Sequence, residues 1–277
     1  MEPFPAYRRR IYFALFVVLF LVLLPAIILY ADGWRFKQGF GFVRTGGVYV
    51  SVPCSDATVT LNGEVVGHSG FLQREFYIGD LAPAAYSLRI EAPDRRTWSR
   101  LLVVEPQLVT DARAVLLPDD ITLSRLIISG SATSTKTLSR TIYDGYLAAF
   151  ATSARAVASS TISVDEQDGI SLFIVDGDVV ARWMRNERKP SAFCGSPSLC
   201  EEEMSVKRIG GDATDAYFYR GGVVYRTEEG GVYFAEIDIR PTPMAAQLYA
   251  ATGADMRLLD DTLVIKSGDM LYEVEGL

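Results

Sequence analysis

Residues 57–66 read Ala57-Thr58-Val59-Thr60-Leu61-Asn62-Gly63-Glu64-Val65-Val66. Apolar and polar side chains alternate up to Leu61, the two-residue period of a strand with one buried face. Asn62-Gly63 then supplies two residues that accept positive φ, the strongest short hairpin signal, and residues 64–66 return from it. The same texture continues on both sides. Residues 48–52 form a strand stopped by Pro53, and residues 75–78, 86–90, 98–104 and 112–117 are further strands. Residues 46–118 are therefore expected to be a small β-sandwich.

Further along, residues 119–166 are harder to read. Residues 129–140 are rich in Ser and Thr and suggest a loop. Residues 146–159 are rich in alanine and suit a short helix or weak strands, with strands favoured by their neighbours. From Ile170 the β signal returns in hairpins: residues 172–184 around Asp176-Gly177, residues 216–226 around Gly221-Gly222, residues 232–239, and residues 262–274 around Ser267-Gly268. That makes about three blades where propellers use four to eight. Residues 119–277 are thus expected to be a β-rich, partly propeller-like domain, and the low blade count motivates an expectation of homo-oligomers.

The order of short motifs resembles the PEGA domain, a small extracytoplasmic β-sandwich module. Pro53 precedes Ala57-Thr58-Val59-Thr60-Leu61-Asn62-Gly63. Gly67-His68-Ser69-Gly70 stands where that family has Gly-x-Thr-Pro, Leu81-Ala82-Pro83-Ala84-Ala85-Tyr86 follows, and Trp98 closes the series. Pro53-Cys54-Ser55-Asp56-Ala57 replaces the tetrapeptide that names the family, and Ala84 replaces its glycine. The second half resembles the tail after PEGA domains in membrane-anchored envelope proteins of small-genome bacteria. Its matching residues are Phe193-Cys194 with Cys200, Glu236-Ile237-Asp238-Ile239-Arg240, Gln247-Leu248-Tyr249 and Leu271-Tyr272-Glu273-Val274. The resemblance names a family without naming a reaction.

Residues 11–31 form an uncharged apolar run. Twenty-one residues make a helix of about 31 Å, close to the hydrocarbon thickness of a bilayer. Pro25 inside it predicts a kink. The run is longer than a signal-peptide core, and the best cleavage triplet, Leu29-Tyr30-Ala31, begins with two large residues. A retained transmembrane helix is expected over a cleaved signal. Arg8, Arg9 and Arg10 place the short tail, residues 1–10, in the cytoplasm and everything after the helix outside the cytoplasmic membrane. Residues 32–45 read as a juxtamembrane spacer whose Trp34, Phe36, Phe40 and Phe42 suit the membrane interface. The fold class is an all-β ectodomain, a sandwich plus a propeller-like domain, behind one N-terminal transmembrane helix.

The net charge of −7 argues against nucleic acid as a partner. One histidine and three cysteines leave too few ligands for most zinc sites, and no cofactor or metal is expected. Cys194 and Cys200 are expected to form a disulfide across a short loop. Cys54 is then expected to pack as a small hydrophobe, and His68 to be an exposed turn residue. Residues 165–168 are an acidic loop open to calcium or to solvent. Glu236, Asp238 and Arg240 alternate along one strand, opposite Ile237 and Ile239, and share a face that is either a solvated row or a ligand-binding row. No nucleophile elbow accompanies His68, so no catalytic residues are expected. The expectation is an envelope binding or scaffold protein with wall polymer or envelope protein as partner. Its alternatives are an accessory or sensory subunit of a membrane complex and, last, an extracytoplasmic hydrolase.

Overall fold

The computed structural model describes residues 6–129, 135–151 and 162–277. Helix α1 (Ala6–Ala31) carries Pro25 and is exposed along its length, meeting the next element only at its C-terminal end among the described residues. Its apolar span, Tyr7–Ala31, is long and apolar enough to cross a membrane. The helix takes in Arg8 to Arg10, so half of the expected tail is helical, and residues 1–5 lie outside the described residues. The spacer is itself structured: β1 (Trp34–Lys37) and β2 (Gly41–Arg44) form an antiparallel hairpin with Phe36 opposite Phe42.

The sandwich follows as β3 (Gly46–Ser51), β4 (Thr58–Leu61), β5 (Glu64–His68), β6 (Glu75–Leu81), β7 (Ala84–Glu91), β8 (Trp98–Val104) and β9 (Val109–Arg113). One sheet runs β6-β3-β9 and the other β5-β4-β7-β8. Val48, Val50, Val59, Leu88, Ile90, Trp98 and Leu102 fill the space between them. Asn62 takes φ 49° and Gly63 φ 87° in the β4–β5 turn, as the Asn-Gly pair requires. The last strand lies earlier than residues 112–117, because Val109 to Arg113 pair parallel with β3.

The second region comprises β10 (Thr122–Ile127), β11 (Thr135–Thr137), α2 (Arg140–Ala151), β12 (Asp165–Gln167), β13 (Ile170–Val175), β14 (Asp178–Trp183), β15 (Cys194–Ser196), β16 (Leu199–Cys200) and β17 (Glu203–Ser205). It continues with β18 (Ala213–Tyr219), β19 (Gly222–Thr227), β20 (Val232–Glu236), β21 (Ala245–Tyr249), β22 (Asp255–Leu259), β23 (Thr262–Ser267) and β24 (Met270–Glu275). The middle sheet, β18-β19-β20-β21, is buried on both faces. Val223 and Tyr225 pack towards the sheet β12-β13-β14-β17, while Val224 and Phe234 pack with Met256, Leu263 and Ile265 of the sheet β11-β10-β24-β23-β22. Two-sided burial explains the continuous apolar run at residues 223–225. The first long strand of this region, β10, pairs with its last, β24, so its two ends are closed together.

The favoured strand reading of residues 146–159 is corrected. Residues 146–151 are helical, and residues 152–159 lie outside the described residues. Tyr143, Tyr146, Leu147 and Phe150 recur at helical spacing and pack on Leu126, Val264 and Leu271, which gives α2 an apolar stripe to bury. Of the Ser/Thr-rich segment, residues 130–134 are likewise outside the described residues, and residues 135–137 form β11.

Candidate functional site: the cleft between the two β regions

Strand β8 alternates strictly, with Trp98, Arg100, Leu102 and Val104 inward and their neighbours outward. Three of these four are apolar and belong to the sandwich core. Arg100 is the exception, a guanidinium on a buried face, where a charge requires partners. They come from the far region. Arg100 Nη2 donates to Glu236, its Nε to Asp238 Oδ2 at 3.3 Å, and its Nη1 to the Thr242 carbonyl at 2.6 Å. Trp98 Nε1 donates to Glu236 Oε1 at 3.0 Å, and the Met244 N–H to Glu236 Oε2 at 2.8 Å. Arg240 closes a fork on Asp238 through Nε and Nη2, both at 2.8 Å. Its Nη1 reaches back to the Asp111 carbonyl on β9 at 3.0 Å. Arg240, Asp238, Arg100 and Glu236 thus form a chain of alternating sign, two cations against two anions, across the seam between the regions.

This corrects the expectation that Glu236, Asp238 and Arg240 share one face of a strand in a solvated row; the three still line the cleft between the regions. They are 2, 2 and 4 % exposed. Strand β20 ends at Glu236; the chain then turns, with the Arg240 N–H donating to Asp238 Oδ1, and the sandwich packs over the turn. Ile237 and Ile239 are half-buried against the core around Phe193 and Phe218. Burial pushes the Glu236 carboxyl above its ordinary range, against the pull of Arg100, the Met244 N–H and the Trp98 N–H.

The paired charges form the floor of a cleft. One part, about 290 Å³, is lined by Asp111, Arg113, Gln167, Asp168, Phe218 and the turn from Glu236 to Arg240. The adjoining part, about 430 Å³, is lined by Tyr49, Thr110, Asp111, Arg188, Lys189 and Ser196. Asp111, Pro190, Ser191 and Arg240 belong to both. Ser191 Oγ donates to Asp111 Oδ2 at 3.0 Å and ties a short 3-10 turn (Ser191–Phe193) to the edge strand β9. Beside it Cys194 and Cys200 are joined in a disulfide that closes the β15–β16 hairpin. Ser198 Oγ in that hairpin donates to Glu105 at 2.8 Å, so the closed loop clasps the sandwich edge. Hydrogen bonds from Ser196 and Ser198 hold the Glu105 carboxyl below its ordinary range.

The sheet β6-β3-β9 presents Asp111, Tyr49 and Tyr77 in one row, the first two lining the cleft and Tyr77 lying next along the row outside it. The Tyr77 ring lies across Gly47 and Gly79: a Cβ on either glycine would come within 3.0 Å of it. Only glycine lets the ring settle on the sheet while staying exposed. A hydrogen bond to Glu75 raises the Tyr49 hydroxyl, helped by burial and by the charges of Glu75 and Asp111.

The other expected residues are scattered. His68 lies exposed on β5 and not in a turn, with Nδ1 3.1 Å from Thr58 Oγ1. Cys54 is half-buried against the sandwich core, and that burial raises its thiol. Asp165 is in β12 and accepts the Phe218 N–H at 2.8 Å. Among the described residues, no three His, Cys, Asp or Glu side chains gather to hold a metal ion. Arg100, Asp111, Tyr49 and Tyr77 were not singled out from sequence; a charge at an inward position of β8 was the available signal for Arg100. No family model matches the chain, and no curated protein matches it.

Proposed function

We propose that this chain is a membrane-anchored, extracytoplasmic binding or scaffold protein of the cell envelope. In this reading α1 holds the chain in the cytoplasmic membrane, with Arg8 to Arg10 inside and the β regions outside. The sandwich acts as a PEGA-like module, and the three-sheet region is a partial, propeller-like platform. The observation that carries the reading is the cleft along the seam. Its floor is neutralised by internal ion pairs, which suits holding a shape better than transferring protons. Its walls offer hydroxyls, an amide and charges of both signs, through Tyr49, Ser191, Gln167, Asp168, Arg113 and Lys189. With the exposed Tyr77 ring beside Tyr49 on the adjoining sheet face, this chemistry favours wall polymer, whose sugar rings have an apolar face to stack and hydroxyls to hydrogen-bond. Co-sedimentation of residues 32–277 with purified cell-wall sacculi across a salt series tests it. Saturable binding that survives salt, and that weakens on Tyr77→Ala, is expected. A folded sample that stays in the supernatant contradicts it.

A second reading, an accessory subunit of a membrane complex, is favoured by a different surface. Phe71 and Leu72, 85 and 93 % exposed, follow the edge strand β5 with its outward Val65 and Val66. An apolar sheet edge of this kind suits a protein partner. Crosslinking of the full-length chain in its membrane separates the two readings.

A further inference from the structure

The β1–β2 hairpin carries an apolar surface that the described residues of the two β regions leave exposed. Phe36 and Phe42 face each other edge-to-face with ring centroids 5.5 Å apart, and Phe40 sits at the turn. They are 70, 71 and 54 % exposed. The hairpin is fastened on both sides. Towards the helix, Arg35 Nη1 donates to the Tyr30 carbonyl at 2.7 Å, and its guanidinium lies 3.7 Å from the Tyr30 ring centroid. Towards the sandwich, Arg35 Nε meets Asp80 at 3.1 Å and the Thr45 N–H donates to the Gly33 carbonyl at 3.0 Å. Asp32, at the junction, accepts from Arg44 at 2.5 Å and from Gln107 at 3.1 Å.

Chain length says what covers those rings. The span Tyr7–Ala31 has 25 residues, about 37 Å of helix against a hydrocarbon layer of about 30 Å. Its last turn, with Tyr30, therefore reaches head-group level. Phe36 follows Ala31 by five residues, which limits it to about 18 Å from the helix end even if the chain were fully extended. Within that reach the rings can come to head-group level, where aromatic side chains partition favourably.

We propose that Phe36, Phe40 and Phe42 form a foot inserted among lipid head groups, and that the foot and α1 together pin the β regions, and hence the cleft, at one orientation to the membrane. The proposal rests on α1 spanning the bilayer, and its test separates the two. The full-length chain, with Cys54→Ala, is labelled with an environment-sensitive fluorophore at Phe40→Cys, at Leu72→Cys or at Leu19→Cys, and placed in phosphatidylcholine nanodiscs. Phe40 and Leu72 are both exposed, so labels there displace no packing. Quenching by a head-group nitroxide several-fold stronger at position 40 than at position 72 is expected, with position 19 quenched by a mid-chain nitroxide. Position 40 as unquenched as position 72, with position 19 quenched, overturns the foot alone. A blue-shifted but unquenched label at 40 means a second copy or another protein covers the hairpin, and also overturns it. An unquenched label at 19 overturns the anchor and the foot with it.

Discussion

Two joints in this molecule use the same chemistry, arginine against carboxylate, in opposite surroundings. At the joint between α1 and the sandwich, Arg44–Asp32 and Arg35–Asp80 lie at the surface, with side-chain exposures from 22 to 57 %. At the seam between the sandwich and the second region, Arg100, Glu236 and Asp238 are 1 to 2 % exposed. Water screens the first pairs, so each contributes little. At the seam the desolvation of every charge must be offset by its partners, so the loss of one partner strands the others. An ion pair's importance in this chain follows its burial more than its distance.

The largest expected effect is at the seam. Arg100→Leu leaves Glu236 and Asp238 short of their cation, and should cost about 3–5 kcal/mol in urea unfolding of residues 32–277. An equally stable variant would show that the seam does not hold the regions together. Next comes the clasp beside it. Opening the Cys194–Cys200 loop with paired serines should cost about 2 kcal/mol, because the loop it closes is short.

A pH series sharpens the contrast. Burial raises the Glu236 carboxyl above its ordinary 4.5. The folded chain therefore holds that proton more tightly than the unfolded chain does. This contribution is fully present below pH 4.5 and is lost as pH rises through the raised folded value. Wild-type stability relative to Glu236→Gln should fall across that window, and a flat difference would show that the carboxyl is not perturbed. The smallest effect belongs to the outer joint. Arg44→Ala should cost at most about 1 kcal/mol and should lose even that in 1 M salt, whereas the Arg100→Leu penalty should persist.

What the sequence made legible was whatever a local rule encodes. The apolar run announces α1, Asn62-Gly63 announces its hairpin, and the alternation of Trp98 to Val104 announces β8. Helix α2 was legible too, through Tyr143, Tyr146, Leu147 and Phe150 and through the alanines that overlap it, but the neighbouring strands argued the other way. The hairpin of residues 34–44 hid because its strands are only four residues long and its exposed aromatics read as membrane-interface anchors, although Trp34-Arg35-Phe36-Lys37 does alternate. The seam was the hardest to see. Glu236 and Asp238 find Arg100 at sequence separations of 136 and 138 residues, and nothing local distinguishes a charge paired at that distance from one facing water. Alternation at Glu236, Asp238 and Arg240 suggested a shared face; the strand ends at Glu236, and the three meet through a turn instead.

Hydrogen exchange of residues 32–277, with and without solubilised cell-wall glycan, reads the cleft segment by segment. The cleft reading predicts added protection in β9, in the neighbouring segment 188–197, and around Tyr49 and Tyr77. Protection confined to β5 and the Phe71-Leu72 loop, or no change in a sample saturated with glycan, would contradict it.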